Sequence, residues 1–370
     1  MPSMTRRDLI RAGALWACGA GCAGALSSSR AQAASFQVPT VDRVAVTVVV
    51  DSAFDLFMRP SQAHGVDVRP SPRVPDYRRS LHNEWGLSLW LESQAGQDTR
   101  TVMLDYGYTP EVLMNNLELL KLDPARLDAL IISHGHYDHF GALVGFLDRY
   151  RKVLPADVKL YAGGEDNFCR RVVPAGATGQ FSDFGTLDRR DLAARRVTTV
   201  LAEEPVVVAG QIFTTGRIQR KSMERVLPNS WVEFGMHDGA GCDSSKYLPP
   251  EMQGKVVPDE HIHEHATCFN VKDRGLVVIS SCGHVGIVNS VRQAQAVSGI
   301  QKVHAVIGGF HLGSAPPDYL RQVVAEVGKL EPDVVIPMHC SGLNFVEEAK
   351  RQMPDRLLLS TTGCRITLGA

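Results

Sequence analysis

The chain lacks an excess of charge of either sign, since its 370 residues include 39 Lys or Arg and 40 Asp or Glu, for a formal net charge of −1. Binding to nucleic-acid phosphates calls for a surplus of basic residues, so the composition argues against that class. No stretch of about 20 apolar residues is present, which excludes a polytopic membrane protein. A Gly-rich phosphate loop, a dinucleotide-binding fingerprint and a Ser-His-Asp order are also missing. What stands out instead is 13 His and eight Cys in a chain long enough for one large domain or two ordinary ones.

The first residues have the features of an export signal. Arg6 and Arg7 precede an uncharged stretch at positions 12–26, and a small-x-small end follows at Ala31-Gln32-Ala33. The uncharged stretch is too short and too weakly apolar for a stable membrane span. The paired arginines, followed by Asp-Leu-Ile-Arg, resemble the twin-arginine signal by which bacteria export folded proteins.

We therefore predict a cleavable twin-arginine signal over residues 1–33 and a mature domain over residues 40–370. The twin-arginine export machinery would then be a partner, and the protein would be periplasmic or secreted. An ordinary secretory signal is one alternative, and lipid attachment at Cys18 or Cys22 is another.

The cysteines that remain after the signal show no spacing of a zinc ribbon or of a disulfide framework. They are Cys169, Cys242, Cys268, Cys282, Cys340 and Cys364. An oxidising compartment permits a disulfide, but the spacing identifies no pair, and free buried thiols are the default expectation.

Short β-rich runs alternate with helical patterns from Val44 onward, which predicts an α/β layered fold. Thr109-Pro110-Glu111 is typical of a helix start, with Thr as the cap and Pro at the first helical position. The apolar run Leu357–Ser360 predicts a late strand. Two stretches, 52–82 and about 166–265, are rich in loops and are predicted to be lids or binding loops, with surface decoration as the alternative.

The strongest signal is a run of metal-ligand side chains directly after the apolar strand 129–132. His134, His136, Asp138 and His139 fall within six residues. Imidazole and carboxylate are the ligands that borderline divalent metals prefer, and a strand end that turns into a helix can present all four together. Burying such a cluster without a metal would be costly, so the run predicts a metal site.

This His-x-His-x-Asp-His run resembles that of the metallo-β-lactamase superfamily. The resemblance implies a four-layer αββα sandwich whose long rim loops hold one or two divalent ions, most often Zn, with Mn or Fe as alternatives. It also implies further ligands after later strands, and His284, His311 and His339 occupy such positions. Five further segments are similar to the subgroup of dihydropterin-ribofuranosylaminobenzene phosphate synthase-like metallo-hydrolases: Glu84–Ser88, Leu104–Gly107, Cys282–Ile287, Gly308–Leu312 and His339–Gly342.

The resemblance also implies roles for individual residues. One ion would be held by His134, His136 and His284, and the second by Asp138, His139 and His339. Asp105 would orient the ligand loop through hydrogen bonds.

The chain departs from the superfamily at His311, where many members have an Asp that bridges both ions. His311 is expected to bind one ion, to contact the substrate, or to leave hydroxide as the bridge. Together with Asp138 it is our candidate catalytic residue. Two divalent ions against one carboxylate leave a charge of about +3, which predicts an anionic substrate.

Two further features are candidates for substrate contact. Arg220 could clamp an anion with its guanidinium, with a solvated basic loop as the alternative. His261, His263 and His265 would share one face of an extended segment, which leaves three interpretations: an exposed polar strand, a substrate contact through His263, or an additional metal site.

These patterns predict a metal-dependent hydrolase that uses metal-activated water on a small, anionic substrate, such as a phosphoester, a lactone or a related ester or amide. The alternative is a pterin-condensing transferase that releases pyrophosphate, although a periplasmic location counts against it. A third hypothesis is a metal-binding protein without catalytic activity.

Overall fold

A computed structural model describes residues 36–176 and 179–369 of the chain. The predicted export signal at residues 1–33 lies outside these residues and stays a prediction. Within them, none of the helices has the length and apolar character needed to cross a membrane.

The strands of the described residues fall into three larger sheets and a two-stranded hairpin. In chain order they are Thr40–Val41 (β1), Arg43–Val50 (β2), Ser61–Ala63 (β3), Val66–Arg69 (β4), Ser88–Ala95 (β5), Asp98–Leu104 (β6), Ala129–Ile132 (β7), Lys159–Ala162 (β8), Arg170–Pro174 (β9), Phe181–Asp183 (β10), Thr198–Leu201 (β11), Val207–Val208 (β12), Ile212–Thr214 (β13), Trp231–Glu233 (β14), Met236–His237 (β15), Ala240–Gly241 (β16), Val256–Pro258 (β17), Thr267–Val271 (β18), Gly275–Ser280 (β19), Val303–Gly308 (β20), Val334–Pro337 (β21) and Arg365–Gly369 (β22). The α-helices are Pro110–Leu119 (α1), Tyr137–Phe140 (α2), Leu143–Tyr150 (α3), Arg189–Ala194 (α4), Ile287–Ser298 (α5), Pro317–Lys329 (α6) and Leu343–Gln352 (α7).

Two large sheets form the centre of the molecule. The N-terminal sheet has nine strands in the order β11-β8-β7-β6-β5-β2-β22-β4-β3. The C-terminal sheet has seven, in the order β12-β13-β18-β19-β20-β21, with β1 paired to β18. Strands such as β2, β7 and β20 are buried along nearly their whole length, and successive side chains point to opposite faces, so each sheet has two buried faces.

The buried side chains form three apolar layers that define the stacking. Val46 of the N-terminal sheet and Ile279 of the C-terminal sheet belong to one cluster between the two sheets. A second cluster joins the other face of the N-terminal sheet to α1 and α3, as with Leu113 and Phe146. A third joins the C-terminal sheet to α5, α6 and α7, as with Val291 and Val324. The order is therefore helices, sheet, sheet, helices, and the predicted αββα sandwich is confirmed.

Parallel strands position the site. β6 and β7 run parallel in the N-terminal sheet, and β19, β20 and β21 run parallel in the C-terminal sheet. Carboxyl ends of parallel strands lie at one edge of a sheet, so the loops after these strands meet along one rim. This rim carries the histidines that the sequence singled out.

The segment 166–265 has more structure than predicted. It contains a four-stranded sheet in the order β10-β9-β14-β17, which we call the insert sheet. A disulfide between Cys169 and Cys242 fastens the insert to itself, whereas free thiols were the default expectation. Among the described cysteines, Cys268, Cys282, Cys340 and Cys364 are free and buried.

One local prediction is wrong, and a second is confirmed only in part. Leu357–Ser360 forms no strand, and only Leu357 bridges to Val335. The last strand is β22 instead, because Ile366 and Leu368 alternate into the core between β2 and β4. Thr109 precedes α1 as expected, but its hydroxyl donates to Glu84 Oε2 at 2.7 Å and does not cap the helix.

Candidate metal centre

The loop after β7 brings the predicted ligands together because it turns at once into the short helix α2. His134 and His136 precede this helix, and Asp138 and His139 lie within it. Gly135 sits where a Cβ atom would come within 2.3 Å of Arg171 Nη1 and 2.4 Å of the Asn167 carbonyl. The position between the first two histidines therefore has no room for a side chain.

Asp105, at the end of β6, fixes the orientation of this loop. Its Oδ1 accepts from the Ser133 backbone N–H at 2.8 Å, and its Oδ2 accepts from Ser133 Oγ and from His139 Nδ1, both at 2.7 Å. Ser133 Oγ lies 2.9 Å from His134 Nδ1. Because a carboxylate only accepts, His139 carries its proton on Nδ1 and presents the lone pair of Nε2 to the rim.

Replacing Asp105 with asparagine is expected to weaken metal binding by about 10- to 100-fold, because an amide has one acceptor oxygen where Asp105 uses two to hold the Ser133 backbone and His139 Nδ1. Metal affinity would be measured by competition with a chromophoric chelator. Asp333→Asn is the matched control, since Asp333 accepts from His304 Nδ1 at 2.8 Å within the C-terminal sheet. Equal losses in both variants would show that Asp105 acts only on stability.

Several buried ligand atoms converge without a hydrogen-bond partner in the described residues. They are His134 Nε2, Asp138 Oδ1, His139 Nε2, His284 Nε2 and His339 Nε2. Asp138 Oδ2 lies 3.7 Å from His139 Nε2 and 3.2 Å from His339 Nε2. Unsatisfied buried polar atoms are costly, and so many in one place fit a divalent cation.

The donor atoms divide into groups compact enough for single ions. In each group the atoms lie within 4.8 Å of one another: His134 with Cys282 and His284, His136 with His261 and His284, His139 with Cys282 and His339, and Cys282 with His311 and Cys340. Members of both predicted ligand sets, His134 with His284 and His139 with His339, therefore lie in the same part of the molecule. These groups could hold a metal.

Burial and mutual repulsion set the protonation of the histidines. Burial, together with the neighbouring imidazoles, holds the pKa of His134 and of His284 well below its usual range. Both rings are thus neutral near pH 7, the form that binds metal. Burial opposes charge on His339 too, but Cys340 and Asp138 raise its pKa to about 9. A metal ion that binds His339 therefore has to displace a proton from its ring.

His261 is a member of this cluster that the sequence left among open alternatives. It is fully buried, and its ring stacks on that of His284 with centroids 3.8 Å apart and planes 6° apart. Its backbone N–H donates to Asp259 Oδ1 at 2.9 Å, within a turn. The exposed strand that was one interpretation of residues 261–265 is therefore wrong.

Asp259 links the cluster to a buried cation. Its Oδ2 accepts from Arg171 Nε at 2.7 Å and lies 3.7 Å from His136 Nε2. His136 Nε2 itself is 2.6 Å from Ser230 Oγ. The insert thus reaches the predicted ligands through Asp259 and Ser230.

The other candidates lie in different surroundings. His263 is buried, accepts from the Asp166 backbone N–H at Nδ1 and packs against Tyr247. Arg220 is partly exposed and pairs with Glu260. The structure does not bring either of them into the groups above. His311 is brought in, since its ring centroid is 4.1 Å from that of His284 and its Nδ1 is 3.7 Å from Cys282 Sγ.

The backbone at the rim is unusual. Asp105, His261, His311 and His339 all have positive φ, between 47° and 58°. Residues other than glycine avoid this region, and such outliers cluster at functional sites.

A cavity of about 130 Å³ opens over the cluster. Asp138, His311 and His339 line it together with the rings of Trp85 and Phe184. Asp138 is the only carboxylate among its described lining residues. A small ligand could therefore reach the convergent donor atoms from one side.

Residues 88–173 match the family model described as metallo-beta-lactamase superfamily. The 7,8-dihydropterin-6-methyl-4-(beta-D-ribofuranosyl)-aminobenzene-5'-phosphate synthase of Methanocaldococcus jannaschii is 28% identical over 281 residues, which cover 74% of this chain and 88% of that protein. An uncharacterised protein of the same organism is 23% identical over 248 residues, or 66% of this chain and 80% of that protein. A solved structure described as a metal-dependent hydrolase of the beta-lactamase superfamily has a TM-score of 0.62 at 19% identity and covers 87% of this chain and 98% of its own. The resemblance predicted from the sequence is confirmed, and the fold is that of the metallo-β-lactamases.

Proposed function

We propose that the chain is a metal-dependent hydrolase that cleaves a small anionic substrate, such as a phosphoester, a lactone or a related ester or amide. The observation that carries the proposal is the set of buried imidazole and carboxylate atoms, beneath a small cavity, that have no hydrogen-bond partner in the described part of the chain. One or two divalent ions, most often Zn at such a donor set, would supply a water of lowered pKa and a positive charge that polarises the substrate.

The residues of the chain have separate parts in this proposal. His134, His136, His284, His139 and His339 hold the metal. Asp105 keeps His139 in the correct tautomer directly and His134 through the Ser133 hydroxyl. Burial works against ionisation of Asp138, but the neighbouring His139 and His339 hold the pKa of its carboxyl below its usual range. Its Oδ1 lacks a hydrogen-bond partner among the described residues, so Asp138 is available as a ligand or as the acceptor of a proton from water.

The preference for an anion follows from the charges around the cavity. Burial opposes charge on His311, but the adjacent Cys340 raises its pKa above the ordinary value. His311 lines the cavity, and in its protonated form it would attract a negative group there. The near absence of carboxylates from the lining acts in the same direction.

The test is hydrolysis by metal-loaded protein of a panel that contains a nitrophenyl phosphodiester, a nitrophenyl phosphomonoester and a lactone. Turnover that a chelator abolishes and added Zn²⁺ restores supports the proposal. A panel that stays inert with a fully loaded site would contradict it.

A second candidate is a pterin-condensing transferase that releases pyrophosphate. The name of the synthase that is 28% identical to this chain favours it. Pyrophosphate release that requires both a pterin pyrophosphate and an aromatic amine, without hydrolysis of the panel, would establish the transferase. In that case we expect the larger substrate to contact the pocket of about 420 Å³ beside Arg217 and Arg220.

A further inference from the structure

Cys282 lies among the candidate metal ligands, although a free buried thiol was the default expectation for each cysteine. Its Sγ belongs to the group with His134 and His284 and also to the group with His139 and His339. It is thus common to both predicted metal positions. Its side chain is buried, with 2% of its surface exposed.

We infer that Cys282 is a metal ligand shared between the two positions, and that its thiolate takes the place of the bridging carboxylate expected at His311. This inference rests on the proposed function, because it assumes that the site holds divalent ions. A thiolate is a stronger and softer ligand than an imidazole and carries a negative charge, so it suits a bridge between two cations.

The surroundings of the two neighbouring thiols distinguish Cys282 from Cys340. Cys340 Sγ accepts from the His311 backbone N–H at 3.2 Å and lies 3.4 Å from the Cys282 carbonyl oxygen. It therefore connects the loops after β19, β20 and β21. In the described part of the chain, Cys282 Sγ lies within hydrogen-bonding distance of side-chain atoms only. These are Cys340 Sγ at 3.1 Å and His311 Nδ1 at 3.7 Å.

The loop that carries Cys282 is also held rigidly. Glu264 accepts from the backbone N–H groups of Gly283 and Val285 at 2.8 Å and of His284 at 3.1 Å. Because these bonds fix the backbone next to Cys282, the thiol and the imidazole of His284 keep a constant spacing. A bridge between two ions requires such preorganisation.

The inference also accounts for His311. Its Nδ1 lies 3.7 Å from Cys282 Sγ and is therefore placed to donate a hydrogen bond to the sulfur. A hydrogen bond to a ligand sulfur tunes the charge that the sulfur gives to the metal. His311 then acts on the metal through Cys282 and needs no direct bond to an ion.

The test is cobalt substitution of the full-length protein, followed by optical absorption and metal counting. A bridging thiolate predicts sulfur-to-cobalt charge-transfer absorption in the near ultraviolet that grows until about two ions are bound per chain. Cys282→Ser should lose this absorption and bind cobalt at least about tenfold more weakly. Cys282→Asp should restore two-ion binding without the absorption and shift the preference from cadmium toward manganese, the harder ion.

Two control variants keep the outcome unambiguous. Cys340→Ser and Cys268→Ala should both retain the charge-transfer absorption. Cys340 is grouped only with Cys282 and His311, outside both predicted metal positions, and Cys268 belongs to none of the groups found among the described residues. Absorption that survives in Cys282→Ser, or that disappears in Cys340→Ser alone, would overturn the inference. Two bound cobalt ions without sulfur absorption would overturn it and leave the proposed hydrolase intact, whereas a wild-type chain that binds no cobalt would overturn both.

Discussion

The His134→Ala variant is expected to lose metal and, with it, hydrolytic turnover by at least about a thousandfold. The metal supplies several kcal/mol of transition-state stabilisation, and each 1.36 kcal/mol corresponds to a factor of ten in rate. His134 belongs to the group with Cys282 and His284, and its Nε2 is unpartnered among the described residues, so the variant removes one donor atom from that group. The measurements are metal content by elemental analysis and the rate on the most rapidly cleaved substrate of the panel.

His304→Ala is the matched control for this variant. His304 is also a buried histidine, but it lies on β20 and pairs with Asp333 at 2.8 Å. Its loss should lower stability while metal content stays at the wild-type level. If His134→Ala retained metal and rate, the assignment of the whole cluster as a metal centre would fail.

Removing the disulfide is expected to lower the free energy of unfolding by about 4 kcal/mol, because Cys169 and Cys242 close a loop with a sequence separation of 73 residues. The variant is Cys169→Ser with Cys242→Ser, and denaturant unfolding gives the free energy. The insert carries Ser230, Asp259 and His261 to the metal cluster, so the loss should also weaken metal binding.

Reduction of the wild-type protein provides the internal check for this prediction. Wild type with a reductant should unfold at the same denaturant concentration as the double variant, and the reductant should not change the variant further. Cys268→Ala, which alters a buried free thiol, should remain sensitive to the reductant. If the reductant left the unfolding midpoint of the wild-type protein unchanged, this would mean that the disulfide does not form. A bridge that forms supports the proposal of an oxidising compartment.

Much of the fold and the first half of the site were predictable because their signals are local. Ala129–Ile132 is apolar throughout, and the ligands that follow it are close in sequence, so a single turn brings them together. Asp105 was predicted through the family resemblance, and its hydrogen bonds to Ser133 and His139 agree with that role.

The insert could not be predicted in the same way. Its strands β14 and β17 have three residues each, which is too short for a periodic pattern, and β14 pairs with residues far away in sequence. The pairing of Cys169 with Cys242 likewise has no local signal. Only the completed tertiary structure brings these segments together.

The sequence just before His261 contains a turn signal, which the alternating histidines obscured. The His-x-His-x-His pattern favours a strand, but Pro258-Asp259 just before it is typical of a turn, and the Asp259 side chain does accept from the His261 N–H. The late strand had a comparable signal in Ile366 and Leu368, which alternate with polar neighbours, whereas the apolar run 357–360 attracted the prediction.

The left-handed backbone of Asp105, His261, His311 and His339 has a consequence for how this sequence can change. Each such residue costs on the order of 1–3 kcal/mol relative to a relaxed conformation. Relief of this strain alone would favour glycine or asparagine at the four positions, whereas the buried hydrogen bonds of Asp105 and the proposed metal contacts of the histidines oppose that change. Engineering of a heat-resistant variant should begin elsewhere on the scaffold, because at these positions durability and chemistry are in direct competition.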